Sequence, residues 1–167
     1  MSAIVAAVAL VVGNSLVLWA QIQARPTGPA VQVTPVDALN SSADDFVTSI
    51  ARGGREVYLT SSRVGGRQRL YVVERQGDRW GSPRRIGGEV SNATHAGGAT
   101  LTVDGSLLLF AAFQHELGGS GRTDLYSARR SGERWTRIAN LGAAVNSAYW
   151  DSQPCIAADG TLLIFAS

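Results

Sequence analysis

An all-β fold built from repeated four-stranded units is what this sequence predicts, and three observations carry the prediction. Three stretches read as copies of one another: ADDFVTSIARGGREVYLTS, ATHAGGATLTVDGSLLLFAA and YWDSQPCIAADGTLLIFAS. A glycine marks the first turn of each copy, and Gly54, Gly105 and Gly160 are separated by 51 and 55 residues. Helical periodicity is missing after residue 44, where short apolar runs are bounded by turn residues instead.

The N-terminal segment stands apart from that pattern. Residues 3–20, AIVAAVALVVGNSLVLWA, carry no charge, and they lie where export signals lie. Residues 1–24 are therefore expected to be a signal peptide or a membrane anchor. No basic residue precedes the apolar run, and Gly13-Asn14-Ser15 divides it, so both alternatives stay open. Residues 25–43 hold Pro26, Pro29 and Pro35 without sustained periodicity and read as an extended linker.

From residue 44 the units follow. In each, a hairpin opens the unit, with Gly53-Gly54, Asp104-Gly105 or Asp159-Gly160 supplying positive φ at the turn. The second strand, LLLFA or LLIFA, is apolar on both faces, as expected where other sheets cover it. A third strand, RLYVVER and then DLYSARR, leads through a short polar turn to Trp80 or Trp135 and a fourth strand. Leu70-Tyr71 matches Leu125-Tyr126 at a separation of 55, as Gly87 matches Gly142 and Val90 matches Val145. The difference between the two spacings falls between Ala112 and Leu125, where FQHELGGSGRTD replaces the shorter SSRVGGRQR, a loop insertion. Four antiparallel strands per unit of this size are the signature of a β-propeller blade. The boundaries expected are 44–94 for one blade, 95–149 for a second and 150–167 for the first hairpin of a third. Closure takes about 4–8 blades, so an incomplete propeller, a fragment or the product of a truncated reading frame, is the expectation.

The residues from Gly118 to Ser167 also resemble a known repeat. Gly118-Gly119, Asp124-Leu125-Tyr126, Trp135, Asn140-Leu141-Gly142, Val145-Asn146-Ser147, Asp151, Pro154, Asp159-Gly160 and Phe165-Ala166-Ser167 follow one pattern. It is similar to the TolB-like, WD-repeat-type β-propeller repeats of bacterial envelope proteins. The first copy departs from it, with Gly53 at the turn Asp, Thr48 at the Pro and Arg69 at the Asp before Leu-Tyr. The resemblance implies a scaffold, often exported, with no shared catalytic residues.

Composition narrows the function classes. All 15 basic residues are Arg, scattered among 13 acids for a net charge of +2, which argues against nucleic acid as a partner. A single Cys155 in an apolar run reads as a buried structural thiol, since neither His95 nor His115 makes a recognisable pairing with it. Asp104 and Asp159 are explained by turn geometry, and Asp124 and Asp151 by side-chain to backbone bonds within the repeat. Trp80 and Trp135, at equivalent positions, point to packing between blades. The Asp-box of a sialidase-type propeller is not matched by SGERWTR at residues 131–137, and no Gly-x-Ser-x-Gly elbow or phosphate loop is present.

The functional expectation is a non-catalytic binding or scaffold module without cofactor or metal. It is exported to the periplasm or cell surface and touches the membrane only through its N-terminal segment. The alternative is part of a propeller hydrolase, a sialidase-like glycosidase or a propeller-containing peptidase. Ligand contacts belong to loops, which puts Phe113, His115 and Glu116 of the insertion and Asn146, Tyr149 and Trp150 on the contact surface. A protein or a cell-envelope glycan is the partner. The other reading of the insertion is a tolerated surface loop.

Overall fold

A computed structural model describes residues 10–12, 15–17 and 33–167. Within the N-terminal apolar segment, β1 (Leu10–Val12) and β2 (Ser15–Val17) pair antiparallel. The signal or anchor expectation otherwise falls on residues outside the described ones. Among the described residues, no helix is long and apolar enough to cross a membrane.

The rest of the described chain is all-β, with a 3-10 turn at Gly88–Ser91. The first sheet contains β3 (Asp45–Ala51), β4 (Glu56–Ser61) and β5 (Arg69–Gln76), paired antiparallel in chain order. Its outer position is shared by β6 (Arg79–Trp80) and β7 (Arg84–Arg85), both against β5. The second sheet is four-stranded and also runs in chain order: β8 (His95–Leu101), β9 (Leu107–Phe113), β10 (Thr123–Ser131) and β11 (Arg134–Asn140). A hairpin of β12 (Ser152–Ile156) and β13 (Leu163–Ala166) follows.

Turn chemistry explains the hairpins. Gly105 sits at φ +69°, a region open to glycine at little cost. Asp104 fastens the same turn by accepting from Thr102 Oγ1 and the Ser106 amide at 2.6 and 3.0 Å. Asp159 does the same for Thr161 in the third hairpin.

Period-two alternation is broken once in each opening strand. The register slips by one residue between Val47 and Ser49, between Gly97 and Thr100, and between Ser152 and Cys155. These are β-bulges. The third has a chemical consequence. It turns Pro154 inward and Cys155 outward, so the thiol expected to be buried is exposed.

The main core lies between the sheets. Tyr58, Leu70 and Val72 of the first sheet pack with Leu108, Phe110 and Tyr126 of the second. Phe110 and Tyr126 stack at 5.7 Å within it. Burying side chains of this size contributes about 1.5–3 kcal/mol each. Two glycines let β8 approach the first sheet. A Cβ on Gly97 would stand 3.0 Å from Thr60 Cγ2, and the Gly98 amide donates to Thr60 Oγ1 at 3.0 Å. Trp135 packs across the sheets, edge-on to Tyr58 at 6.5 Å. Trp80 does not: it lies with Leu39 against Leu59, Tyr71 and Val73 on the other face of the first sheet.

Candidate binding surface

The residues expected at the contact surface divide into two groups. Phe113, Tyr149 and Trp150 come together at one end of the second sheet. Phe113 closes β9, lying in register between His95 of β8 and Thr123 of β10. Trp150 forms a parallel bridge with Thr123. The Phe113 and Trp150 rings are inclined by only 8° with centroids 6.2 Å apart, and the His95 ring leans on Phe113 at 6.3 Å. Trp150 is 54% exposed and Tyr149 75%.

The segment carrying Tyr149 and Trp150 is pinned by its backbone. The carboxylate of Asp151, itself fully buried, accepts from the Ser147 amide and hydroxyl at 2.7 and 3.1 Å. The Arg122 amide donates to the Tyr149 carbonyl at 2.9 Å, and the Asp151 amide to the Thr123 carbonyl at 2.8 Å. Gly121 permits this approach: a Cβ there would stand 2.4 Å from the Tyr149 carbonyl oxygen. The aromatic pair is therefore held in place by its supports rather than by solvent-exposed chance.

His115 and Asn146 belong to the other group, and the contact-surface expectation is corrected for both. His115 is buried, its ring lying 4.6 Å from that of Tyr126 and 6.2 Å from that of Phe110. Its Nδ1 accepts from the Leu117 amide at 3.2 Å, which assigns the proton to Nε2, 2.9 Å from the Glu89 carbonyl. Asn146 is buried too, and its amide copies a strand partner: Oδ1 accepts from the Leu125 amide and Nδ2 donates to the Leu125 carbonyl. Both side chains close the inside of the loops whose outside faces solvent. Glu116 is exposed, and its carboxylate accepts from Asn92 Nδ2 at 3.0 Å.

A concavity of about 410 Å³ opens between the sheets, and Glu56, Tyr58, Arg84, Arg130, Glu133 and Trp135 are among the residues that line it. Its buried charges are matched. Arg130 grips the buried Glu56 through both terminal nitrogens, at 3.1 and 2.6 Å, and its Nε donates to the Gly105 carbonyl at 3.0 Å. The guanidinium lies over the Trp135 ring at 4.9 Å. Burial alone would raise the Glu56 pKa, yet hydrogen bonds from Arg130, Tyr58 and Arg52 outweigh it and the pKa falls. Burial, together with that same carboxylate, raises the Tyr58 pKa. Glu133 faces Arg84 at 3.8 Å. This cleft is a seam between the sheets, closed at its buried end by the Arg130–Glu56 pair.

The aspartates expected to be structural are so. Asp124 accepts from the amides of Ser120 and Gly121 and from Asn140 Nδ2. Sequence reading passed over His95 as a surface residue, weighing it only as a base for Cys155. Its cross-strand pairing with Phe113 follows from the Asp104-Gly105 hairpin, which offered the available signal. Among the described residues, no three His, Cys, Asp or Glu side chains are placed to hold a metal ion. A scan against protein-family models matches none, and a search of curated proteins finds no match.

Proposed function

We propose that this protein is a non-catalytic, propeller-type binding or scaffold module that meets its partner through the Phe113–Trp150 rim. The nearly parallel pair of half-buried Phe113 and exposed Trp150 carries this reading. Flat aromatic faces held at a fixed spacing fit the apolar face of a sugar ring, so of the two partner classes, a protein or a cell-envelope glycan, the pair favours the glycan. The propeller reading draws on units that repeat one strand order and one bulge position, on the Asp-Gly turn shared by the second and third, and on the resemblance to TolB-like repeats. Export to the periplasm or cell surface rests on the N-terminal apolar segment. The rival is part of a propeller hydrolase, and against it stands the engagement of the buried cleft acid, Glu56, by Arg130, Tyr58 and Arg52.

Co-sedimentation with insoluble envelope glycan tests the proposal. The double variant Phe113→Ala/Trp150→Ala, checked for native circular dichroism, is expected to bind about tenfold more weakly. Replacing residues 113–120 by the shorter first-unit loop should have the same effect. Equal retention of all three proteins would remove this rim from consideration.

A further inference from the structure

The inserted loop of the second unit is fastened by one buried ring. His115 is 6% exposed, and its ring lies 4.6 Å from that of Tyr126 in β10 and 6.2 Å from that of Phe110 in β9. Both of its nitrogens are used, in opposite senses. Nδ1 accepts from the Leu117 amide at 3.2 Å, and Nε2–H donates to the Glu89 carbonyl at 2.9 Å. One side chain thereby joins the loop to the 3-10 turn. The backbone adds to the link, since the Glu116 amide donates to the Asn92 carbonyl and the Gly118 amide to the His115 carbonyl, each at 2.9 Å. From β10 the Tyr126 hydroxyl donates to the Gly118 carbonyl at 2.5 Å. The shorter loop of the first unit, residues 61–69, contains no histidine.

That seat accepts only the neutral ring. An imidazolium carries a proton on each nitrogen, so a second proton on Nδ1 would point at the Leu117 N–H and turn an attraction into a clash of donors. The added charge would also sit where water is nearly excluded, which is costly without an acid in contact. The ionisable groups around the ring supply none. Glu89 of the 3-10 turn presents its carbonyl, while its side chain is exposed. On β10, Tyr126 offers its ring face, and the Asp124 carboxylate is taken by Ser120, Gly121 and Asn140. Within the loop, the Glu116 carboxylate is held by Asn92 Nδ2, and Arg122 is exposed. From β9 the ring meets Phe110, which carries no charge.

We infer that neutral His115 is a latch on the inserted loop, and that a second proton on its ring releases residues 114–118 from the 3-10 turn. An imidazole free in water takes that proton near about pH 6.5. The closed loop holds the neutral ring and the open loop lets it charge. Closure is therefore fully favoured above that pH and weakens about tenfold for each unit below it. The opening is local, because Phe113 stays paired with His95 and Thr123 and the sheets stay folded. The latch is independent of what the rim binds.

Hydrogen exchange of single amides, followed by NMR in the full chain at about pH 7.5 and 5.5 and corrected for the intrinsic effect of pH, reads the opening directly. Protection of the Glu116 and Gly118 amides is expected to fall about tenfold between the two, while Leu108 and Phe110 of β9 keep theirs. Over the same range the nitrogen chemical shifts of His115 should move to those of an imidazolium. In His115→Gln, whose amide retains an acceptor and a donor but takes no proton here, the loop should stay protected at both pH values. If that variant fails to close the loop, His115→Phe, which keeps a flat ring against Tyr126, replaces it with the same expectation. Unchanged protection in the wild type overturns the inference, as does a ring that charges while the loop stays closed. A tenfold fall that persists in the variants also overturns it, since another group would then drive the opening.

Discussion

The third strands of the two sheets begin at equivalent points, 55 residues apart, yet they are anchored by opposite charges. In the second sheet Asp124 collects the amides of Ser120 and Gly121 and the side chain of Asn140, while Asn146 clasps Leu125 on both backbone atoms. In the first sheet those places fall to Arg69, Arg85 and Ser91. Arg69 finds only two backbone carbonyls. A repeat can thus keep one backbone while assigning its positions differently. One unit closes its strand start from within, and the other leaves positive charge at the rim.

The seam between the sheets sets the scale against which that contrast is measured. Arg130→Ala would leave the Glu56 carboxylate buried with Tyr58 and the partly exposed Arg52 as its remaining partners. Removing one member of such a pair is expected to cost about 4 kcal/mol, read from urea denaturation. The same site governs acid sensitivity. Glu56 titrates below its ordinary 4.5 in the native state, so its contribution is complete above that pH and is lost as pH falls through the lower native value. Melting temperature should hold steady down to about pH 5 and then drop, with a shallower drop in Arg130→Ala. Asp45 keeps part of the slope, since hydrogen bonds from Ser41, Ser61 and Arg63 overcome its burial and lower its pKa as well.

Asp124→Ala bears on the comparison itself. It strips three donors of their acceptor in a site only 2% exposed and should cost about 3 kcal/mol. Arg69→Met, at the matching position, should change stability by less than about 1 kcal/mol. The lost bonds to the Gln68 and Thr94 carbonyls are offset there by relief from a buried, repelled charge. Denaturation midpoints of the two variants side by side decide the matter. A cost at Arg69 equal to that at Asp124 would make both positions structural and erase the contrast.

Much of the fold could be read from the residues because its determinants are local. Asp104-Gly105 and Asp159-Gly160 specify their turns through nearest neighbours, and the spacing of 55 carries Trp80 to Trp135 without reference to anything distant. The bulges were not legible, because Thr48, Ala99 and Pro154 share no residue type. Yet the last of them decides that Cys155 faces out. His115 and Asn146 were polar residues in loop-like sequence, and polarity says nothing about whether a loop folds back on its own side chains. Their burial depends on Tyr126 and Leu125, ten residues or more away in the chain. Phe113 and Trp150 were each visible as loop aromatics. Their stacking depended on a bridge between Thr123 and Trp150 that no period in the sequence announces.

The slipped registers have a further consequence, for how the protein behaves among other copies of itself. A sheet edge that is long, straight and apolar can template the addition of foreign strands. Here β3 and β8, the opening edges of their sheets, are each bulged. The opposite edges are irregular as well. The partner of β5 breaks at Gly81–Pro83, and β11 slips against β10 around Arg137, which stands at φ +51°. The bulges and breaks interrupt the edges of both sheets, which disfavours docking of a second molecule in continuous register. Aggregation resistance is thereby built into the backbone path of these sheets, which leaves their side chains free to diverge from one unit to the next.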